Sequence, residues 1–230
     1  GAATALLAAS RGYAVAVNYA QRADAARDVV SRIEAAGGRA IAVQGDVAQE
    51  ADVVALFRTV DERLGRLTAL VNNAGVVDVS QRLDEMSGER LRRMFDINVI
   101  GSLLCAREAV RRMSTRHGGA GGAIVNVSSA ASRLGSPGQY LDYAAAKGAI
   151  DAFTLGLAKE VGAEGIRVNA VRPGLIETDI HASVGLPDRV RDLAHLVPMQ
   201  RGGSAEEVAE AIVWLLSRES SYTTMSLVDV

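Results

Sequence analysis

Lysine is nearly missing from this chain of 230 residues, where two positions, Lys147 and Lys159, supply all the lysine among 25 Lys and Arg side chains. Cysteine is scarcer still, and the single Cys105 excludes an intramolecular disulfide. No apolar run approaches the ~20 residues of a membrane span, so no membrane partner is expected. A formal charge of −2 supplies no global field for phosphate backbones, and nucleic acid is not an expected partner either. No charged-then-apolar leader opens the chain, since Gly1 runs straight into Ala-Ala-Thr-Ala-Leu-Leu, and the expectation is a cytoplasmic protein. His117, His181 and His195 lack paired metal-ligand spacing, so no metal is expected.

What the chain does have is alternation. Short apolar or β-rich runs at Tyr13–Asn18, Ala40–Val43, Ala69–Asn72, Ala123–Val127, Arg167–Val171 and Ser226–Val230 are separated by longer stretches of helical period, as when helices cross over between parallel strands. Ala26, Val29, Val30 and Ile33 mark one face of a helix that stops at Gly37-Gly38. Ser204-Ala-Glu-Glu207 has the form of a capping box ahead of the stripe Val208, Ala211, Ile212, Leu215 and Leu216. No linker or repeat breaks the pattern, which predicts one domain over residues 1–230 built on a continuous doubly wound α/β sheet of three layers. Three of the four prolines, Pro173, Pro187 and Pro198, fall in or beside the stretch from Gly174 to Gly203, which reads as a long loop with a short helix and a substrate lid over 175–203. Leu186, Leu193, Leu196 and Met199 suggest an apolar cover.

The sharpest local signal is Tyr143-Ala-Ala-Ala-Lys147, because i and i+4 on a helix place a phenol and an ammonium on one face, one turn apart. With so little lysine, such a pairing arises by chance only rarely; Tyr140, close by, has Ala144 at the same offset. A cation ~4 Å from a phenol at an effective dielectric of 20 contributes about 4 kcal/mol, roughly three pKa units, enough to bring a tyrosine near neutrality. Such a phenol can give a proton to a carbonyl oxygen or take one from an alcohol. Upstream, Ile124-Val-Asn-Val-Ser-Ser129 reads as a buried strand ending in two hydroxyls, at the carboxyl edge where open α/β sheets hold ligands. Ser129 is placed to donate to a substrate oxygen, with Ser128 as the fallback.

Taken in order, Asn72-Asn-Ala-Gly75, Asn98-Val, Ser129, Tyr143-xxx-Lys147 and Pro173-Gly174 resemble the signatures of the short-chain dehydrogenases/reductases nearly end to end. The resemblance implies a Rossmann-like fold and a hydride transfer between a nicotinamide dinucleotide and a carbonyl or secondary alcohol. It assigns catalysis to Ser129, Tyr143 and Lys147, with Asn98 completing a proton relay. It also implies cofactor contacts at Asp46 and Val47 (the adenine), at Asn73, Ala74 and Gly75, at Tyr143 and Lys147, and at Pro173, Gly174, Ile176 and Thr178 (the nicotinamide side). Asn18-Tyr-Ala-Gln-Arg22 offers no carboxylate to the ribose 2′-hydroxyl, which favours NADP over NAD, with Arg22 able to face a 2′-phosphate. The resemblance further implies a small carbonyl or alcohol substrate as partner, and subunit pairing through the helices over 88–115 and 141–162 in a homotetramer or homodimer. Arg90, Arg92, Arg93 and the Arg111-Arg112 pair read as a solvated face.

Two departures from the pattern stand out. The family carries a strand and a Gly-rich phosphate loop before its first helix, and Gly1 looks like that loop's last glycine. In the 3-2-1-4-5-6 strand order the absent strand is central, and orphaned buried amides would cost about 1–3 kcal/mol each against a stability of ~5–15 kcal/mol. The expectation is an N-terminal extension in the natural protein. Met225 stands where the family usually has glycine, which predicts a local backbone change. A nucleotide-sensing protein that binds NADP without turnover is the competing reading, and a purely structural subunit a third.

Overall fold

The structure, a computed structural model, describes residues 1–178 and 188–230. Parallel strands alternate with helices along it: α1 (Ala2–Ser10), β1 (Val15–Tyr19), α2 (Ala23–Ala35), β2 (Ala40–Gln44), α3 (Glu50–Leu64), β3 (Ala69–Asn72), α4 (Gly88–Phe95), α5 (Gly101–Met113), β4 (Gly122–Val127), α6 (Ala131–Leu134), α7 (Leu141–Val161), β5 (Ile166–Arg172), β6 (Ile176–Glu177), α8 (Arg189–Leu193), β7 (Gly203–Ser204), α9 (Ala205–Leu216) and β8 (Leu227–Asp229). The expected strands are all present, displaced by at most two residues at their ends. No described helix is long and apolar enough to cross a membrane.

β4 explains why its sequence is a continuous apolar run. Ile124 packs with α3, α5 and α7 in one cluster, while its neighbours Ala123 and Val125 pack against Val208, Ile212, Leu215 and Leu216 of α9 on the opposite face. A strand covered on both sides has no polar face to show. α9 begins as its sequence predicts, with the Ser204 hydroxyl accepting from the Glu207 N–H at 3.2 Å and the Glu207 carboxylate accepting from the Ser204 N–H at 2.8 Å. α2 ends at Gly37, whose φ of +81° makes the left-handed turn.

The expected parallel, helix-flanked α/β architecture is present, and its hydrogen-bonded strands fall into two groups. β1 pairs only with β2, from Val15 opposite Ala40 to Tyr19 opposite Gln44, while β3, β4, β5 and β8 form a separate parallel sheet in that order. No described segment supplies a strand between β1 and β3, and the side chains of β1 are half-buried, those of β4 and β5 mostly buried. β6 and β7 make a small ladder, Ile176 opposite Gly203, at the base of the stretch expected to be a lid. That stretch contains the short helix α8; its residues Leu196 and Met199 are largely exposed, and Leu186, Pro187 and His181 lie outside the described residues.

Met225 has a left-handed φ of 62°, a conformation that favours glycine, and its N–H donates to the Val168 carbonyl at 2.7 Å.

Candidate active site

α7 runs 21 residues without proline and opens on three alanines between Tyr143 and Lys147, so nothing interrupts the turn that joins them. Lys147, Ile150, Asp151, Thr154, Ala158 and Val161 form its buried face. Lys147 is 4% exposed; its Nζ donates to the Val127 carbonyl at the end of β4 at 2.7 Å and lies 5.5 Å from the Tyr143 ring centroid. Burial pulls the lysine down to about 8, against the opposing charge of Asp151. The expectation of a phenol tuned toward neutrality is corrected: burial pushes Tyr143 up, and only the nearby Ser129 hydroxyl pulls it down. The ammonium is held by a backbone carbonyl rather than by the phenol, and removing the phenol from water disfavours its charged form.

The two adjacent serines separate cleanly. Ser128 is buried with its hydroxyl donating to the Lys147 carbonyl at 3.2 Å, whereas the Ser129 hydroxyl faces Tyr143 and accepts from the Ala131 N–H. Asn98 is fully buried in a single π-helical turn, Asp96–Ile100, that joins α4 to α5. Its side-chain amide donates to the Val76 and Met94 carbonyls at 3.0 Å each and its Oδ1 accepts from the Val76 N–H at 3.1 Å, so the side chain is spent on holding the chain after β3. The π turn was not legible in the sequence; π turns are uncommon and gather at functional sites. Gly101, which follows it, lets the chain approach Val47, since a Cβ there would lie 2.7 Å from Val47 Cγ2.

On the nucleotide side, Asn73, Ala74 and Gly75 form an exposed floor beyond β3, and Gly1, the N-cap of α1, lies against the Asn73 side chain. A Cβ on Gly75 would stand 2.7 Å from Asn98 Oδ1 and 3.5 Å from Lys147 Nζ, so a backbone without a side chain is what keeps this floor open beside the lysine. A flat ligand edge fits such a cradle, and the amides at the start of α1 suit an anion. Asn18 donates to the Val43 and Gly45 carbonyls at 3.3 and 2.9 Å, bracing the ends of β1 and β2, while Arg22 is exposed at the start of α2. Asp46 caps the turn after β2 through Ala48 N, and the Val47 side chain belongs to the core, leaving its backbone to any ligand. Pro173 accepts from the Ala130 N–H and Gly174 donates to Val230. The Ile176 side chain packs onto the α9 cluster and Thr178 is exposed.

Sequence reasoning placed Arg90 on a solvated face, and that is corrected. Its side chain is 8% exposed and pairs with Asp142, 0% exposed, through Nε–Oδ2 at 2.8 Å; it also donates to the Val79 carbonyl and Gln81. Asp142 in turn accepts from the Tyr143 N–H at 2.9 Å. Arg92, Arg93 and Arg111 are exposed as expected. Reasoning also missed a buried amide chain in which Asn72 donates to Asn126 at 2.9 Å and Asn126 to Thr154 at 2.9 Å, tying β3 to β4 and β4 to α7. Asparagines inside a buried strand were the available signal. Among the described residues no cluster of His, Cys, Asp or Glu could hold a metal ion, and His117 and His195 are exposed.

A family model described as enoyl-(acyl carrier protein) reductase matches residues 1–230. The chain is 56% identical to the uncharacterized oxidoreductase YgfF of Escherichia coli, over all of this chain and 93% of that one. It is 39% identical to a 3-oxoacyl-[acyl-carrier-protein] reductase of Synechocystis, over 94% of this chain and 83% of the other. Among solved structures, a Serratia marcescens short-chain dehydrogenase/reductase mutant superposes with a TM-score of 0.91 at 32% identity, covering all of this chain and 91% of the other.

Proposed function

The chain belongs to the short-chain dehydrogenase/reductase family and is an oxidoreductase; from that premise we propose that it interconverts the carbonyl and secondary alcohol forms of a small molecule with NADP(H), Tyr143 being the proton donor and acceptor. The single observation that carries this reading is the convergence of Tyr143, Ser129 and Lys147 beside the open floor at Gly75. The nicotinamide, when bound, supplies or accepts the hydride.

Each residue then has a task. Tyr143, whose phenol burial pushes up from its ordinary value, gives its proton to the substrate oxygen in the direction of reduction. Ser129 donates to the same oxygen as negative charge develops on it. Lys147, still an ammonium below pH about 8, stabilises the phenolate left behind, and its donors beyond the bond to Val127 are available to ribose hydroxyls. Asn98 holds the π turn and the chain after β3, which keeps the floor and Lys147 in register, and its main chain is the part left to serve a proton relay. Asp46, Val47, Asn73, Ala74, Pro173, Gly174, Ile176 and Thr178 are proposed cofactor contacts, with the start of α1 at Gly1 facing phosphate. Asn18 without a neighbouring carboxylate, and exposed Arg22, support NADP. The segment 175–203 is proposed as the lid. Exposed Phe95, Ile100 and Leu103 support pairing of subunits through this face of α4 and α5.

The test is a panel of ketones, oxoesters and alcohols run with NADPH, NADH and their oxidised forms. Tyr143→Phe should lower kcat by roughly 10²- to 10⁴-fold while nucleotide affinity measured by fluorescence stays unchanged. Full turnover by that variant would overturn the acid/base role, and nucleotide binding with no turnover of any substrate would favour a sensor.

A further inference from the structure

Resting on the reading of Lys147 as the cation of the active site, we propose that Asp151 and Arg172 are positioning residues for it. A buried carboxylate one turn along α7 keeps the lysine an ammonium, and through Arg172 it ties the helix of the reaction to the strand that ends in Pro173-Gly174.

The geometry is a line of alternating charge. Asp151 follows Lys147 by four residues and therefore shares its face of α7. Its Oδ2 accepts from Arg172 Nε at 3.0 Å and Nη2 at 2.9 Å, with the two side chains 11% and 14% exposed. Its Oδ1 is buried and meets no hydrogen-bond donor among the described residues. Arg172 thus engages one oxygen and leaves the other free to act through space on its neighbours. Beyond Arg172 the line continues to Asp229 of β8, Nη1–Oδ1 3.8 Å, and from Asp229 to Arg133 of α6 at 2.8 Å. Facing Lys147 are Tyr143 and Asp151 on α7 and the neutral Val127 carbonyl of β4, with neutral Asn98 of the π turn across Gly75; Arg172 on β5 reaches this group through Asp151, and Asp229 and Arg133 lie beyond Arg172.

A wholly structural ion pair would need none of this placement. A buried ammonium is disfavoured by loss of water, and Asp151 is the one charge that opposes that effect on Lys147. A lysine that lost its proton could no longer stabilise a phenolate, so the carboxylate acts on the reaction through the lysine. Arg172 moderates it: without the arginine the same carboxylate would act on Lys147 undiminished.

The chain's two lysines make a direct test possible. These 230 residues labelled with ¹³C-lysine give two lysine side-chain signals, and Lys159→Arg identifies that of Lys147. Titrated by NMR, Asp151→Asn should move the Lys147 midpoint down by about one pH unit or more, and Arg172→Met should move it up. Asp151→Glu should restore it. Midpoints that stay put, or that move the same way in both variants, would overturn the proposal and leave a structural pair. Should Asp151→Asn fail to fold, the Arg172→Met shift decides alone, a fall or no change counting against. The titration needs no turnover, so it can fail while Tyr143→Phe still abolishes activity, and the reverse outcome would remove the catalytic reading while leaving the charge line intact.

Discussion

The carboxyl ends of β4 and β1 each brace a neighbouring segment with polar side chains, but they do so in different surroundings. Around the end of β4 the braces are buried: Asn126 within the strand and Asn98 on the π turn are fully enclosed, Lys147 nearly so, and the Arg90–Asp142 pair closes the start of α7. Beyond β1 they are half-open, with Asn18 bonded to two carbonyls at the end of β2 and Arg22 out in solvent. The cores below differ in depth: β1 and β2 pack Val15, Val17 and Ala40 on the cluster around Val29 and Ile33, and Ala16 and Val43 on that of α3, yet β1 stays half-buried while β4 is mostly enclosed. In a low-dielectric setting a satisfied polar contact holds geometry firmly and a broken one is costly. The half that would move a proton is fixed by side chains; the half that would hold a nucleotide offers mainly backbone.

Cutting one tether in each half breaks or sharpens that contrast. Arg90→Met leaves Asp142 buried without its partner and should cost about 3–5 kcal/mol in urea unfolding, with kcat falling as the Tyr143 end of α7 loosens. Asn18→Ala should cost only about 1 kcal/mol, because its carbonyl partners can turn to water. Equal losses would show that the two halves are braced alike.

Next in size is a pH effect. The folded value of Lys147, about 8, lies below its ordinary 10.5, so between them the folded chain binds fewer protons than the unfolded one and stability rises with pH. Against Lys147→Met, which lacks this group, the native chain should gain about 3 kcal/mol between pH 8 and pH 10.5. Burial pushes the Cys105 thiol up to about 12, an opposite effect that both proteins carry and that cancels in the difference. A flat difference between the two unfolding curves would place Lys147 in water. The smallest effect is at Met225, where Met225→Gly relieves the left-handed φ and should raise stability by about 0.5–1 kcal/mol, visible as a shift in urea midpoint.

The fold was legible wherever the signal is local. The capping box at Ser204, the turn at Gly37 and the apolar runs of β4 and β5 each carry their own physics, and the structure places them within two residues of expectation. The π turn at Asn98 was not legible, because its side-chain bonds to Val76 join residues far apart in the chain. Arg90 read as solvated for the same reason: its neighbours on α4 are exposed, and the carboxylate that buries it comes from α7.

By itself the sequence determined which side chains could meet on one helix, so it determined that Tyr143 and Lys147 share a face of α7, for helical periodicity needs no tertiary information. Only the tertiary structure decided how those groups are charged. Burial raises Tyr143 and lowers Lys147, the Val127 carbonyl rather than the phenol takes the ammonium, and Asp151 with Arg172 closes the far side, because desolvation depends on everything packed around a group and not on its spacing along the chain.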